Sequence, residues 1–182
     1  MSGTVWPQLQ PFLKTPTPPE LGPGPRPGVE AETGLARRLD SVLANSRLAG
    51  RPSQLARAIV LLWHDHLDSA HTIAQDIDDS DGAFVHGIMH RREPDFGNAR
   101  YWFHRVGPHP AFAEIGARVQ AQLRGGNSPE LALALAPEGR WDALAFIDAC
   151  ERATRRGTGE AATLREIQRI ESEVLLERFA AL

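Results

Sequence analysis

The segment FVHGIMHRREPDFGNARYWFHRV, residues 84–106, decides the fold, because apolar residues recur at helical spacing on both sides of a proline. Phe84 and Ile88 indicate one helix, which ends before Pro94, and Trp102 marks the core-facing side of a second. Proline stops the first helix because it lacks a backbone donor and crowds the preceding turn. The segment therefore predicts two short antiparallel helices.

Helical periodicity continues from residue 31 to the end of the chain, with no two-residue alternation of the kind that marks strands. Glycine and proline separate the apolar stripes, with one break at Gly125–Gly126. A helix is expected to start after Ser128, because Pro129 at the first helical position costs no hydrogen bond. We expect an all-α fold, a compact bundle of eight or nine helices with repeat-like antiparallel hairpins.

Residues 1–30 are read as a Pro-rich N-terminal arm and residues 31–182 as the helical domain. Eight of the fourteen prolines lie in the first 27 residues, where they prevent helix or sheet from propagating. Large apolar side chains in residues 5–13 predict that this part docks on the domain as an extended strap. Residues 15–28 are expected to be disordered or in polyproline geometry.

The segment IVLLWHDHLDSAHTIAQDI, residues 59–77, aligns with residues 84–106 and pairs His64 with His90. The alignment predicts a bend near Asp65 that divides the segment into two short helices, whereas periodicity alone would give one long helix. We predict the bend. We also expect His64 and His90 to approach each other across adjacent hairpins.

Residues 86–107 contain a glycine on the first helix, an aspartate between the helices, and an alanine, an aromatic pair and a base on the second: Gly87, Asp95, Ala99, Trp102, Phe103 and Arg105. With this pattern the segment resembles one short tetratricopeptide-type repeat of the Sel-like variant. The resemblance implies a pair of helices and a role in protein interaction. His86 stands where the family has leucine and His90 where it has an aromatic residue, and both positions are interior ones.

All seven histidines fall within one 46-residue window, which invites a chemical interpretation because imidazole titrates near neutral pH and ligates metals. His86 and His90 are four residues apart and share a helix face, and Glu93 adds a carboxylate one turn further on. After the bend, Asp68 and His71 share a face in the same way. These residues predict a polar pocket, lined by His64, Asp68, His71, His86, His90 and Glu93.

Three uses of this pocket stay open: metal binding, ligand or proton chemistry without a metal, and a structural role with each ring hydrogen-bonded. No cofactor is predicted, and a divalent metal at His86, His90 and Glu93 is a hypothesis only, because the HExxH pattern is absent. Arg91 and Arg100 are further candidates, since guanidinium groups suit bidentate binding of a small anion. Trp102 is expected in the core.

Composition restricts the function. The formal net charge is −3 with both signs interspersed, so we expect no nucleic-acid partner. Apolar stretches are too short to span a bilayer, so we expect no membrane partner and a cytoplasmic protein. The expected function is a binding or interaction module for a protein or a small anionic ligand, with the C-terminal helix as a homo-oligomer contact. The alternative is a small-molecule enzyme, a lyase, isomerase or hydrolase, that uses histidine acid/base chemistry.

Overall fold

A computed structural model describes residues 4–124, 128–157 and 159–182, and over these residues the chain is all-α, with no strand. The predicted break at Gly125–Gly126 lies outside the described residues. None of the described helices is long and apolar enough to cross a membrane. Ten α-helices are described: α1 (Trp6–Leu9), α2 (Glu32–Ala44), α3 (Gly50–Trp63), α4 (Leu67–Ala74), α5 (Ser80–Arg92), α6 (Phe96–Val106), α7 (Ala111–Arg124), α8 (Pro129–Leu135), α9 (Ala143–Arg156) and α10 (Ala161–Phe179).

The helix count exceeds the predicted eight or nine because the N-terminal segment is itself helical. It docks as α1 followed by a 3-10 turn, Gln10–Leu13, and not as an extended strap. Pro7 and Pro11 each lie in the first turn of these short elements, where a missing N–H costs no hydrogen bond. Leu9 and Phe12 are buried, so this segment is part of the core.

Residues 14–31, which we call the strap, contain no helix or strand and lead from the 3-10 turn to α2. The strap packs on the body: Leu21 and Arg26 are both buried. Arg26 Nη2 donates to the carbonyl oxygen of Trp63 at 2.8 Å, and its Nε donates to that of Thr17 at 3.2 Å. A buried guanidinium thus holds residues 15–28 on α3, which contradicts the first alternative of the prediction, disorder, but not the second, polyproline geometry.

The chain bends between α3 and α4, which confirms the bend predicted from the internal alignment. α3 ends at Trp63, α4 begins at Leu67, and Asp65 between them has a φ of 65°. Aspartate enters this left-handed region more readily than most residues. The Asp65 carboxylate also accepts hydrogen bonds from Arg26 Nη1 at 2.6 Å and Arg92 Nη2 at 2.7 Å. These contacts fix the bend from both sides.

Helices α5 and α6 form an antiparallel pair in the middle of the molecule. Asp95 caps α6 by accepting the backbone N–H of Asn98 at 3.1 Å. Phe84, near the start of α5, meets Phe103, near the end of α6, with ring centroids 5.1 Å apart. At Gly87 an added Cβ would lie 2.7 Å from the Phe103 ring, so only glycine allows this approach.

Helix α10 packs against α3 and α7 and is a central element of the core. Leu164, Leu175 and Phe179 on its predicted apolar stripe are fully buried. Glu171 on the same helix is buried too, and its carboxylate receives two hydrogen bonds from Arg91 of α5, at 3.1 and 2.5 Å. The stripe thus packs on the body of this chain.

Candidate functional site

Three histidine rings converge between α4 and α5. His71 comes from α4, and His86 and His90 come from successive turns of α5. One ring nitrogen from each residue lies within 4.8 Å of the other two. The His71 ring centroid is 4.6 Å from that of His86 and 5.6 Å from that of His90. We call these residues the three-histidine cluster.

Trp102 of α6 covers one face of the cluster. Its indole stacks on His86 with ring centroids 3.9 Å apart and planes 8° from parallel. The Arg105 guanidinium lies 5.3 Å from the centre of the same indole. Trp102 is only partly buried, whereas the sequence predicted a core position. It instead forms a wall that orients the His86 ring and keeps water from its face.

Burial keeps the two α5 histidines neutral. Loss of solvent, with His71 and His90 close by, lowers the pKa of His86 to about 4. Burial also lowers the pKa of His90, against the opposing charge of Glu93. Among the described residues, Nδ1 of His86 and Nδ1 of His90 are buried without a hydrogen-bond partner. A buried polar atom without a hydrogen-bond partner lowers the free energy of unfolding by about 1–3 kcal/mol. Both rings are therefore candidates for binding a ligand.

One carboxylate contacts the cluster. Glu93, which follows α5, places Oε2 3.2 Å from His90 Nδ1. This contact does not meet the geometry of a hydrogen bond, but a small rotation would let Glu93 accept a hydrogen bond from Nδ1 and leave the Nε2 lone pair free. Asp68 lies one turn before His71 on α4 and lines the same cavity as Glu93.

His64 follows the last residue of α3 and is not one of the three converging rings. Its Nδ1 accepts the backbone N–H of Glu30 at 3.0 Å, and its Nε2 lies 2.9 Å from the carbonyl oxygen of Phe12. Because a carbonyl oxygen only accepts, Nε2 carries the proton and the ring is neutral. Burial lowers the pKa of His64 in the same sense. Both nitrogens are therefore used to hold the N-terminal segment.

Arg91 and Arg100, the other predicted ligand-binding residues, already contact carboxylates. Arg91 is 1% exposed and pairs with Glu171. Arg100 Nη2 lies 2.6 Å from Asp148 Oδ1 on α9 and also contacts Glu151. The two guanidinium groups point to different partners, so they do not converge on one anion.

Sequence reasoning missed the buried network in which Asp65 joins Arg26 to Arg92. The three side chains are 1%, 3% and 2% exposed, and Asp65 also accepts the backbone N–H of Arg26 at 2.9 Å. Arg26 lies 39 residues from Asp65 in a segment without periodicity. No signal in the sequence marks such a pairing.

No protein-family model, curated protein or solved structure matches the chain. The resemblance of residues 86–107 to a tetratricopeptide-type repeat therefore stays a prediction.

Proposed function

We propose that this helical domain is a binding module whose ligand is a divalent transition-metal ion, held by His71, His86 and His90. The convergence of one nitrogen from each ring, all within 4.8 Å, carries the proposal. Ligand nitrogens of a tetrahedral zinc ion lie about 3.3 Å apart, because each Zn–N bond is about 2.0–2.1 Å long. Small ring rotations bridge this difference.

The protonation state of the rings supports the proposal. A histidine must be neutral to ligate a metal, and burial lowers the pKa of His86 to about 4 and also lowers that of His90. An ion would bind these two rings at pH 7 without displacing a proton from either. It would also give a partner to Nδ1 of His86, which has none among the described residues.

The donor set indicates which metals fit. Imidazole suits zinc, copper, nickel and iron, whereas magnesium and calcium prefer oxygen ligands. The single cysteine, Cys150, is fully buried in α9, and burial raises the pKa of its thiol to about 12, so it supplies no thiolate. Glu93 beside His90 adds the carboxylate that commonly orients a metal-bound imidazole. Zinc is the ion that this set fits best.

Calorimetric titration of the chelator-treated protein with Zn²⁺ tests the proposal. We expect one ion per chain, and a loss of affinity of at least about 100-fold in His71→Ala, His86→Ala and His90→Ala, since each removes one ligand. His104→Ala is the matched control, because His104 is exposed on α6. Equal affinity in all four variants would overturn the proposal.

A further inference from the structure

Helix α4, which carries His71, is held on the body by few buried residues. It is eight residues long, and only Leu67, Ala70 and Ala74 of it are buried. A helix this short is marginal in water by itself, so its position depends on its contacts with the rest of the chain. Two of these contacts are polar: the His71 ring meets the three-histidine cluster, and the bend in front of the helix meets the strap.

The strap bonds to both residues that precede α4. Asp65 Oδ2 accepts the backbone N–H of Arg26 at 2.9 Å, and Asp65 Oδ1 accepts Arg26 Nη1 at 2.6 Å. His66 Nε2 lies 2.9 Å from the carbonyl oxygen of Glu30 and donates to it, because a carbonyl oxygen only accepts. The docked strap therefore fixes the point at which α4 begins.

The strap also bonds to the end of α5. Arg92, the last residue of that helix, donates through Nε to the carbonyl oxygen of Gly22 at 2.9 Å and through Nη2 to Asp65 at 2.7 Å. Strap residues 23–25 and α4 residues 67–69 line the same cavity, of about 330 Å³. The docked strap thus joins the end of α5 to the start of α4.

A metal ion at the three-histidine cluster would join the same two helices, because His71 belongs to α4 and His86 and His90 belong to α5. Building on the proposed metal site, we propose that ion binding and strap docking reinforce each other, and that residues 22–30 are the part of the chain that responds to metal occupancy. With the ion bound, α4 is fixed against α5 and the strap meets an ordered surface. Without the ion, this region opens more often.

The preceding part of the strap is attached to α10 and provides an internal comparison. Gln168 Nε2 on α10 donates to the carbonyl oxygens of Pro19 and Glu20 at 3.1 and 3.2 Å. Arg165 of the same helix pairs with the Glu20 carboxylate at 2.6 Å. These contacts involve neither α4 nor α5, so they do not depend on the ion.

Amide hydrogen exchange of the full chain, with and without Zn²⁺, tests the inference. The reporter is the backbone N–H of Arg26, which is bonded to Asp65. The matched control is the backbone N–H of Asp142, which is bonded to the carbonyl oxygen of Leu135 on α8 at 2.8 Å. Zn²⁺ should slow exchange at Arg26 at least about fivefold and leave Asp142 unchanged. His71→Ala should abolish this effect, because it removes the ligand on α4.

The coupling is reciprocal, so loosening the strap must also weaken metal binding. Arg26→Ala removes the ion pair between the strap and the bend, and it should lower Zn²⁺ affinity at least about fivefold in the calorimetric titration. The variant leaves Asp65 paired with Arg92, so the buried carboxylate keeps a partner. Arg165→Ala is the matched control and should bind Zn²⁺ as the unchanged protein does, because its ion pair holds the strap on α10.

Calorimetry on the sample used for exchange separates this inference from the proposed function. A protein that binds Zn²⁺ while exchange at Arg26 is unchanged, or slows equally at Asp142, would overturn the coupling and leave the metal site standing. A protein that binds no Zn²⁺ would overturn both.

Discussion

The ring of His86 lies flat against the indole of Trp102, with centroids 3.9 Å apart and planes 8° from parallel. The stack joins α5 to α6 at the three-histidine cluster. It covers one face of His86 and leaves the ring edge, which carries the nitrogens, to meet His71. The indole thus belongs both to the packing of the fold and to the wall of the site.

Trp102→Ala is expected to lower the free energy of unfolding by about 2 kcal/mol. This is less than the roughly 3–5 kcal/mol of a fully buried aromatic residue, because Trp102 is only partly buried. Zn²⁺ affinity should fall about tenfold, since His86 loses the wall that orients it. Denaturant and Zn²⁺ titrations measure both effects, with exposed Tyr101→Ala as control. A Trp102→Ala protein with unchanged stability and affinity would contradict this role.

Acid should destabilise the metal-free protein between about pH 6.5 and 4. The folded-state pKa of His86 is lowered from 6.5 to about 4, so below about pH 6.5 the unfolded chain binds more protons and stability falls. The lowered pKa of His64 acts in the same direction. His86 alone accounts for about 3 kcal/mol over this interval.

Urea unfolding at several pH values, with chelator present, measures this dependence. His86→Phe retains a ring for Trp102 to stack on but does not titrate, so its stability should fall less steeply with acid than that of the unchanged protein. His104→Ala should follow the unchanged protein, because His104 is exposed. Identical slopes for all three proteins would show that His86 is not held neutral by burial.

Asp65→Asn should lower the free energy of unfolding by about 3–5 kcal/mol and release the strap. The substitution leaves two buried guanidinium groups, Arg26 and Arg92, without their shared carboxylate. Limited trypsin digestion should then cut after Lys14, which Thr15 follows. Asp40→Asn is the control, because that side chain is 61% exposed and its ion pair contributes under about 1 kcal/mol. Equal protease resistance of the two variants would show that Asp65 does not hold the strap on the body.

Glu171→Leu should destabilise the fold by about 3–5 kcal/mol, because it leaves the buried Arg91 guanidinium without its carboxylate partner. The double variant Arg91→Met with Glu171→Leu should recover most of this loss, since an apolar pair of similar volume needs no charge compensation. Chemical denaturation of the single and double variants gives the coupling energy. If the two substitutions changed the free energy of unfolding additively, loss of the ion pair would not be the cause of the destabilisation.

The spacing of residues along the chain predicted the features that depend on neighbouring residues only, namely shared helix faces and a bend between helices. The i, i+4 spacing of His86 and His90 placed both rings on one face, and the internal alignment located the bend at Asp65. Helix boundaries follow local spacing less closely: α3 starts at Gly50, and Ser53, a residue type that often caps helices, lies inside it. Pro52 fits the first turn of this earlier start, where its missing N–H costs nothing.

The parts of the site that the sequence did not predict depend on contacts distant along the chain. His64 matched the other histidines by type and spacing, yet its Nε2 is used by the Phe12 carbonyl, 52 residues away. Arginine is a residue type that suits an anion site, but the Arg91 guanidinium already donates to the carboxylate of Glu171, which is 80 residues further along the chain. Composition and periodicity carry no information about such pairings.

The most direct test of the central claim is an anomalous difference map, recorded at the zinc absorption edge, from crystals grown with Zn²⁺. We predict one peak per chain among His71, His86 and His90, about 2.0–2.1 Å from one nitrogen of each ring. A map with no peak at the three-histidine cluster, from protein saturated with Zn²⁺, would contradict the assignment of these rings as metal ligands.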